Sequence, residues 1–385
     1  MRIAYLLPSL HTSGWRRYAE DLLRALAGEV EPVLIHAADD AELAAELFPE
    51  WERYALPVVQ DASLSSHRTR GHLLRSLWRA RRLSMPRPAL VHSLEAYPAG
   101  LIGHTLARRW NVPHVLTAHG TYAVLWVRYP LDRWAYQRVL RGAAAICPVS
   151  HGTADLMRQT FPEALPAERL HVILNGNDFW RRVPAEDALQ RPWPERPTVL
   201  TVGDIKARKG MHISLAAFAR LHSAMPQARY WIVGKYRPED PYYQFLQQLV
   251  HEHNLQDAVT FWGRVDDAQL DALYRQASLF VLASQAEDLR FEGFGLVYIE
   301  AGAYGLPVIG TRSGGIPDAV RDGETGLLVP PEDVEALAQA MRRLLEDEDL
   351  ARRMGQANRR LSESLTWQRA ADDWMKIYAG GRLVG

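Results

Sequence analysis

Two glutamates stand eight positions apart in the segment Phe291-Glu292-Gly293-Phe294-Gly295-Leu296-Val297-Tyr298-Ile299-Glu300. Glu292 is predicted to lie in a glycine-flanked loop, and the helix that follows is predicted to begin near Gly295. Eight residues of helix rise about 12 Å, which lets the two acids flank one elongated ligand. The alternative is an ordinary helix that carries two solvated glutamates.

The chemistry of this segment suits a ligand with phosphates and hydroxyls. Gly293 and Gly295 let backbone N–H groups approach a ligand closely. A helix N-terminus adds free N–H groups and the positive end of a dipole, which suit a diphosphate. Ionised carboxylates accept hydrogen bonds from sugar and ribose hydroxyls. The glycine, proline and apolar pattern continues beyond Glu300 as far as Val329.

Short apolar runs alternate with helical patterns along the whole chain. Helical spacing is clearest in Trp15–Ala27. This alternation predicts an α/β fold with parallel sheets and helices on both faces. The strand candidates are Ile3–Leu7, Pro32–His36, Leu90–Ser93, His114–Thr117, Ala144–Val149, Thr198–Val202, Arg229–Val233, Val259–Phe261, Leu279–Leu282 and Pro307–Gly310.

The chain has 385 residues, which is too long for one ordinary core and indicates two domains. The stretch Arg181–Pro197 holds four prolines and lacks periodicity, so the boundary is expected there. We expect an N-terminal domain at 1–182, a C-terminal domain at 183–364, and a last helix within 365–385, near Trp367–Tyr378, as a candidate to pack back on the first domain. Ligands of open α/β sheets bind beyond the carboxyl ends of the strands, so a cleft between the domains is the default site.

Several classes of protein are disfavoured by the sequence. The first strand–helix turn, residues 8–15, lacks GxGxxG, and GxxxxGK[ST] is absent, which disfavours nicotinamide dinucleotides and P-loop chemistry. Formal net charge is zero, so nucleic acid is not an expected partner. The metal-ligand spacings CxxC and HExxH are absent, and no metal or other cofactor is expected.

The compartment is inferred from cysteine usage and hydropathy. Cys147 is the single cysteine and is predicted to pack in the core, and a lone thiol favours a reducing compartment, the cytoplasm. No run approaches the ~18 apolar residues of a transmembrane helix. Met1–Pro8 has a short apolar run that ends at proline, which indicates a buried first strand rather than a signal peptide.

A second candidate site follows the strand Thr198–Val202, in Gly203-Asp204-Ile205-Lys206-Ala207-Arg208-Lys209-Gly210. The next helix is predicted to start near His212. Cations at a helix N-terminus can hold a diphosphate, because the ammonium group and the helix dipole act together. The alternative is an exposed basic turn.

A third candidate site lies in Leu116-Thr117-Ala118-His119-Gly120-Thr121. It follows a predicted strand, so His119 would lie on the ligand side of the sheet. The alternative is a capping or core histidine, since the chain has fourteen histidines.

These segments together resemble retaining GT-B glycosyltransferases of family 4, densely over residues 198–340 and sparsely before residue 115. The resemblance implies two Rossmann-like domains that face each other across a cleft. It implies that Glu292 faces the donor sugar, that Glu300 binds the ribose, and that His119 contacts the sugar near the reacting carbon. Lys209 and Gly210 match the family's G-R-x(4)-K-G motif, whose basic residues hold the diphosphate.

One position departs from the family pattern. Asp204 stands where the family has arginine, and an acid beside phosphates is repulsive. Arg208 or Lys206 is the candidate for the missing charge. The first helix opens at Gly14, where the family has a glycine-containing loop near the donor phosphates or the acceptor. The implied catalytic residues are Glu292, His119 and Lys209, and the implied donor-binding residues are Gly14, Arg208, Lys209, Glu292, Gly293, Phe294, Gly295, Leu296 and Glu300.

The resemblance implies transfer of a sugar, with retention of configuration, from a UDP-, GDP- or ADP-sugar to a hydroxyl acceptor. The sequence identifies neither the sugar nor the acceptor. One alternative is a nucleotide-sugar isomerase similar to UDP-sugar 2-epimerases. Another is a nucleotide-sugar binder without catalysis, which Asp204 favours.

The stretch 66–87 carries seven arginines and no acid. Leu73, Leu74, Leu77 and Trp78 form one helical face, and Arg75, Arg79 and Arg82 form another. A basic amphipathic helix with tryptophan suits peripheral contact with an anionic membrane, here the inner face. The alternative is a domain helix that is apolar inside and basic outside.

Overall fold

A computed structural model describes residues 1–7, 9–11, 13–57 and 62–380. The chain divides into two compact units. Unit 1 comprises Met1–Gly176 and the segment that begins at Trp367, and unit 2 comprises Asn177–Thr366. The proline-containing stretch 181–197 therefore belongs to unit 2. The expected last helix is present, whereas residues 381–385 of the expected 365–385 segment lie outside the described residues.

Unit 1 is a parallel sheet with helices between its strands. Its described strands pair in the order β3-β2-β1-β4-β5-β6. The elements are β1 Arg2–Leu6, α1 Ser13–Leu26, β2 Glu31–Ala37, α2 Ala41–Leu47, β3 Glu52–Leu56, α3 Arg70–Ala80, β4 Leu90–Ser93, α4 Ala99–Trp110, β5 His114–Ala118, α5 Pro130–Gly142, β6 Ala145–Pro148 and α6 His151–Thr160.

Unit 2 has the same design, and its strands pair in the order β12-β11-β10-β7-β8-β9. Its elements are α7 Ala185–Leu189, β7 Thr198–Val202, α8 Met211–Ala224, β8 Arg229–Val233, α9 Pro241–Glu252, β9 Val259–Gly263, α10 Asp267–Gln276, β10 Leu279–Val281, α11 Leu296–Ala303, β11 Val308–Thr311, α12 Ile316–Ala319, β12 Gly326–Val329, α13 Val334–Glu346 and α14 Glu348–Ser364.

The strand order reverses at one strand in each sheet. In unit 1, β1 pairs in parallel with β2 on one side and β4 on the other. In unit 2, β7 pairs in the same way with β8 and β10. The connections that leave neighbouring strands at such a point diverge to opposite faces of the sheet, and a ligand-binding crevice opens beyond the carboxyl ends of the strands.

The last helix, α15 (Trp367–Tyr378), belongs to unit 1. Trp374 is buried against the His92 ring, with ring centroids 4.4 Å apart. The Tyr378 hydroxyl lies 2.8 Å from His92 Nδ1, and His92 Nε2 lies 2.8 Å from the Thr117 hydroxyl. Burial lowers the pKa of His92, so this hydrogen-bonded chain contains a neutral imidazole. The helix thereby supplies part of the core of unit 1.

The predicted α/β fold class is confirmed, and the central strands lie where the apolar runs indicate. The strands over 90–93, 198–202 and 229–233 have the predicted bounds. Two strands are absent from the sequence prediction, β3 and β12, and both are edge strands. Only one residue of β3, Leu56, is buried, because an edge strand has a single neighbour and its residues need not be apolar. Cys147 is buried in the core of unit 1, as predicted, and burial raises the pKa of its thiol.

The segment before α3 is held by one buried carboxylate, Asp132 of α5. Its two oxygens accept hydrogen bonds from the Ser63 hydroxyl at 2.8 Å, the Leu64 N–H at 2.7 Å, the Ser65 N–H at 3.0 Å and the Tyr97 hydroxyl at 2.6 Å. Burial alone raises the pKa of Asp132, but these donors outweigh that effect and the pKa is lowered. Asp132 is thus ionised, and each of its oxygens accepts two hydrogen bonds within unit 1.

No helix of residues 1–7, 9–11, 13–57 and 62–380 is both long and apolar enough to cross a membrane.

Replacing Asp132 by alanine should destabilise the protein by about 3 kcal/mol, because buried donors lose their acceptor. Asp155→Ala is the control, since Asp155 pairs with Arg158 on the exposed face of α6 and such pairs contribute little. Urea denaturation of the two variants and the wild type measures the difference. Equal midpoints for the two alanine variants would contradict the role assigned to Asp132.

Candidate functional site

Two loops of unit 2 leave the point at which its strand order reverses. Residues 203–210 follow β7, and residues 282–295 follow β10. Because β7 and β10 are paired neighbours, their carboxyl ends bring these two loops together. The first loop carries the predicted cations and the second carries Glu292.

The side chains of the two loops meet in a compact ionic cluster. Lys209 Nζ donates to Glu292 Oε2 at 2.5 Å, and Arg208 Nη1 lies 3.5 Å from the same oxygen. The Ser284 hydroxyl is 3.4 Å from it. The side chains of Lys209 and Glu292 are 12% and 17% exposed, so this pair is largely withdrawn from solvent.

The cluster keeps Glu292 ionised. Burial alone raises the pKa of Glu292, but the charges of Lys209 and Arg208 and the hydrogen bonds from Lys209 and Ser284 outweigh it. The pKa therefore lies below its usual value. The site therefore holds one negative charge and two positive charges in a fixed arrangement. A charged ligand can replace either Glu292 or the cations as the partner of the other.

Backbone contacts fix the positions of the two loops relative to each other. Gly210 has a φ of 65°, and a Cβ at this position would lie 1.8 Å from the Ala283 carbonyl oxygen, so a glycine is required. The Gln285 N–H donates to the Arg208 carbonyl oxygen at 2.7 Å. The Gly315 N–H donates to the Glu292 carbonyl oxygen at 2.9 Å. Backbone hydrogen bonds thus fix both the loop that carries the cations and the loop that carries Glu292.

The helix after Glu292 begins one residue beyond the predicted position, at Leu296 of α11. Gly295 precedes it with a φ of 91°, a conformation that suits glycine. The Tyr298 hydroxyl donates to the Leu282 carbonyl oxygen at 2.6 Å and ties α11 to the end of β10. Phe294 is buried, whereas Gly293 and Leu296 are partly exposed.

Glu300 lies on α11, in the helix that follows the loop of Glu292. The Tyr274 hydroxyl of α10 donates to Glu300 Oε2 at 3.2 Å, and the Tyr274 ring stacks on Tyr304 at 4.7 Å. The side chain of Glu300 is partly exposed, so it is both supported by the core and open to solvent.

Asp204 lies in the cation loop but pairs with its own neighbour. Lys206 Nζ is 3.0 Å from Asp204 Oδ2, and both side chains are more than half exposed. Lys206 is therefore occupied by Asp204, whereas Arg208 and Lys209 face Glu292. Of the two candidates for the missing charge, the structure places Arg208 in the ionic cluster.

The two predicted site residues of unit 1 occupy different environments. His119 follows β5, and its Nε2 lies 3.1 Å from the Leu94 carbonyl oxygen, with the Tyr18 ring edge-on at 4.5 Å. Burial lowers the pKa of His119 to about 4, against the opposing effect of the Leu94 bond, so the ring is neutral at pH 7. Because a carbonyl only accepts, Nε2 carries the proton. Gly14 is exposed in the first turn of α1. Pro8 and Thr12, which belong to the same predicted strand–helix turn, lie outside the described residues.

Sequence reasoning missed two supporting side chains. Ser284 and Tyr274 contact the predicted glutamates, but nothing in their local sequence distinguishes them from other serines and tyrosines. Among the described residues, no group of three or more histidine, cysteine, aspartate or glutamate side chains is arranged to hold a metal ion.

Two Rossmann-like units, with a cationic and acidic cluster at the reversal point of the second, define the GT-B class of glycosyltransferases. Two family descriptions match the chain. Glycosyltransferase Family 4 matches residues 12–181, and Glycosyl transferases group 1 matches residues 186–361. The chain belongs to the glycosyltransferase family that these two descriptions represent, one for each half of the chain.

Named relatives agree with this assignment. The chain is 31% identical over 296 residues to a GDP-mannose-dependent alpha-(1-6)-phosphatidylinositol monomannoside mannosyltransferase of Mycolicibacterium smegmatis, which covers 75% of this chain and 73% of that one. It is 32% identical over 306 residues to a glycogen synthase of Mycobacterium tuberculosis, covering 77% and 70%. The solved sucrose-phosphate synthase of Thermosynechococcus elongatus superposes with a TM-score of 0.78 at 26% identity over 98% of each chain.

The neutral state of His119 predicts a loss of stability in acid. Its pKa of about 4 in the folded protein lies below the ordinary value of about 6.5. Between these values the unfolded chain binds the proton more readily, so stability falls as the pH drops from 7 to 5, by about 2 kcal/mol for this residue. His119→Gln removes the titrating group.

The measurement is urea denaturation of wild type and His119→Gln at pH 7 and pH 5. The wild type should lose more stability than the variant over this interval. Parallel losses in the two proteins would show that His119 is not held neutral.

Proposed function

We propose that this enzyme moves a sugar from a nucleoside diphosphate sugar to a hydroxyl acceptor and retains the anomeric configuration. The observation that carries the proposal is the Lys209–Glu292 contact of 2.5 Å, with Arg208 beside it, at the reversal point of the unit 2 sheet. This cluster offers cations for a diphosphate and a carboxylate for sugar hydroxyls.

In the proposed complex the donor replaces contacts that the cluster now makes within itself. Lys209 and Arg208 turn from Glu292 to the diphosphate, whose charge is larger. Glu292 is released to accept hydrogen bonds from the sugar, and Glu300 to accept them from the ribose. The backbone around Gly293 and Gly295, with the N-terminus of α11, adds N–H donors for the phosphates. Phe294 and Leu296 complete this part of the donor site.

The proposed reaction needs no covalent enzyme intermediate. The bond from the anomeric carbon to the diphosphate oxygen breaks while the acceptor oxygen bonds to the same face of that carbon. The acceptor proton passes to the departing diphosphate. Lys209 and Arg208 stabilise the negative charge that grows on the leaving group, and this electrostatic help is the main contribution of the protein. We propose that no metal ion is required.

His119 has the properties of a neutral hydrogen-bond acceptor rather than an acid. Its Nε2 proton is engaged by the Leu94 carbonyl, which fixes the ring and leaves Nδ1 as an acceptor. We propose that it accepts a hydrogen bond from a hydroxyl of the transferred sugar. Gly14 leaves space beside α1, since among the described residues no atom beyond its chain neighbours and its own helix backbone lies within 4 Å of a Cβ built there.

The two alternatives receive less support. An isomerase would interconvert nucleotide sugars without an acceptor, whereas the relatives named above are transferases or synthases. A binder without catalysis was favoured by Asp204, but Asp204 is paired with Lys206 and leaves the cluster intact. The mannosyltransferase relative uses GDP-mannose by its name, which makes GDP the first nucleotide to test here.

Removing Lys209 should weaken nucleotide binding, whereas removing the charge of Glu292 should not. Lys209→Ala loses a charge-assisted contact, which corresponds to about a tenfold to hundredfold weaker affinity for the nucleoside diphosphate. Glu292→Gln removes an anion that competes for the same cations, so the diphosphate should bind as well or better while transfer falls at least about a hundredfold.

Thermal shift with UDP, GDP and ADP measures binding, and release of nucleoside diphosphate with product analysis measures transfer. Arg220→Ala is the matched control, since Arg220 is an exposed cation of α8 that pairs with Glu335 and takes no part in the cluster. A Glu292→Gln variant that transfers sugar at the wild-type rate would refute the role of Glu292. Formation of an isomeric nucleotide sugar without release of diphosphate would identify the isomerase.

We also propose that unit 1 docks on an anionic membrane surface, at the inner face of a cytoplasmic membrane. Residues 62–144 contain thirteen arginines, no lysine and two acids. Both acids, Glu95 and Asp132, are buried. The whole chain is neutral, so positive charge is concentrated in this part of unit 1.

Exposed apolar side chains accompany the arginines. Leu74 and Trp78 of α3 are 51% and 58% exposed, and Leu131 and Trp134 of α5 are 51% and 60% exposed. The expected apolar face of α3 is therefore divided, with Leu73 buried and Leu74 and Trp78 in solvent. Leu74 and Trp134 line one open groove of about 520 Å³ with Arg81, Arg108 and Arg138. Aromatic rings framed by arginines suit the lipid headgroup region.

Binding to vesicles should depend on both kinds of side chain. The triple variant Arg75→Gln, Arg79→Gln, Arg82→Gln should partition about a hundredfold less onto vesicles with anionic lipid, at ~1 kcal/mol per cation. Trp78→Ala with Trp134→Ala should also weaken binding, whereas Trp262→Ala, an exposed tryptophan of unit 2, should not. Vesicle co-sedimentation measures both. Equal binding to neutral and anionic vesicles would contradict the docking proposal.

A further inference from the structure

A cavity lies in unit 1 where the strand order reverses at β1. This position corresponds to that of the ionic cluster in unit 2, where the order reverses at β7. It has a volume of about 230 Å³. Its walls come from the carboxyl ends of neighbouring strands and from the start of α4. They include Leu6 at the end of β1, Ile35 at the end of β2, Leu56 at the end of β3, and Glu95 just beyond β4. Every wall residue belongs to unit 1.

The charge of this cavity is opposite to that of the cluster in unit 2. Asp39, Asp40 and Glu95 line it together with two histidines, His11 and His36, and no lysine or arginine does so among the described residues. Leu6, Ile35 and Leu56 form an apolar wall. An apolar wall together with acidic side chains matches a saccharide ring, which has apolar C–H faces and a perimeter of hydroxyls.

One carboxylate is set up to receive a ligand. Asp40 is 1% exposed. Its Oδ1 accepts the Leu10 N–H at 3.3 Å and lies 3.4 Å from His11 Nε2. Its Oδ2 is buried and has no hydrogen-bond partner among the described residues. A buried carboxylate oxygen without a donor is costly, and a donor supplied by a ligand removes that cost.

We infer that this cavity binds the acceptor through a saccharide ring without negative charge, whose hydroxyl or amino groups donate to Asp40 and Asp39. The inference rests on the proposed transferase function, because it names the second substrate of that reaction. A phosphate or carboxylate on the entering ring would face three acidic side chains with no lysine or arginine among the lining residues and is disfavoured. An amino group gains a charge-assisted hydrogen bond and is favoured over a hydroxyl.

Three probes that share one ring and differ in charge test this inference: glucosamine, glucose and glucose 6-phosphate. Saturation-transfer NMR on the full chain measures their binding without donor. We expect glucosamine to bind best, glucose more weakly, and glucose 6-phosphate about tenfold more weakly than glucose. Asp40→Asn should weaken glucosamine binding about tenfold.

Two further variants separate binding from folding. Asp40 also holds the Leu10 N–H, so Asp40→Asn can disturb the turn of residues 9–11. Asp39→Asn changes an exposed acid of the same cavity and should also weaken glucosamine about tenfold. Asp155→Asn, an exposed acid on α6, is the matched control and should leave binding unchanged.

Each result decides the inference. Glucose 6-phosphate binding as tightly as glucose, no binding of any probe, or wild-type binding of glucosamine by both Asp39→Asn and Asp40→Asn would overturn it. The nucleotide thermal shift is read on the same variants and should be unchanged. If nucleotides give the wild type no thermal shift, the proposed function is contradicted. If the wild type shows the thermal shift and transfers sugar but binds none of the probes, only the role of this cavity is contradicted.

Discussion

The site of unit 2 depends on the parallel strand order around β7. A parallel sheet that grows in both directions from one strand sends its connections to opposite faces, and the carboxyl ends at that strand are left uncovered. The loops after β7 and β10 therefore meet there, and Gly210 lets their backbones approach closely enough for Lys209 to reach Glu292. The same order around β1 leaves the acidic cavity in unit 1.

The ionic cluster combines two opposing effects. Burying the Glu292 carboxylate favours its neutral form, while Lys209 and Arg208 favour its charged form, and the cations prevail. A buried pair of this kind contributes little net stability, because the loss of hydration offsets much of the attraction. Under the proposed function the pair holds two cations ready for the donor, since a diphosphate would replace Glu292 as their partner. Asp204 does not interfere because Lys206 neutralises it within the same loop.

The sequence predicted the central strands, α15, and the residues of the ionic cluster, because these depend on local patterns. Short, nearly continuous apolar runs mark strands that are buried on both faces, and glycines mark the close approach of loops. The edge strands β3 and β12 were missed, since β3 has one buried residue and β12 has four residues behind a turn. Ser284, Tyr274 and the acids of the unit 1 cavity were also missed. Their roles arise from contacts across the sheet, which no local spacing records.

The neutral net charge of the chain conceals three sets of charges with different partners. Arginines dominate residues 62–144, carboxylates line the unit 1 cavity, and the two signs meet at Glu292 in unit 2. An anionic surface would attract the arginine face, whereas the acids of the cavity would repel a phosphate. A lipid-linked acceptor reconciles the two requirements if its charged part stays with the arginines and an uncharged sugar ring enters the cavity. Under the proposed function, the separation of charge within unit 1 would therefore favour the uncharged sugar as the end of such an acceptor that reacts.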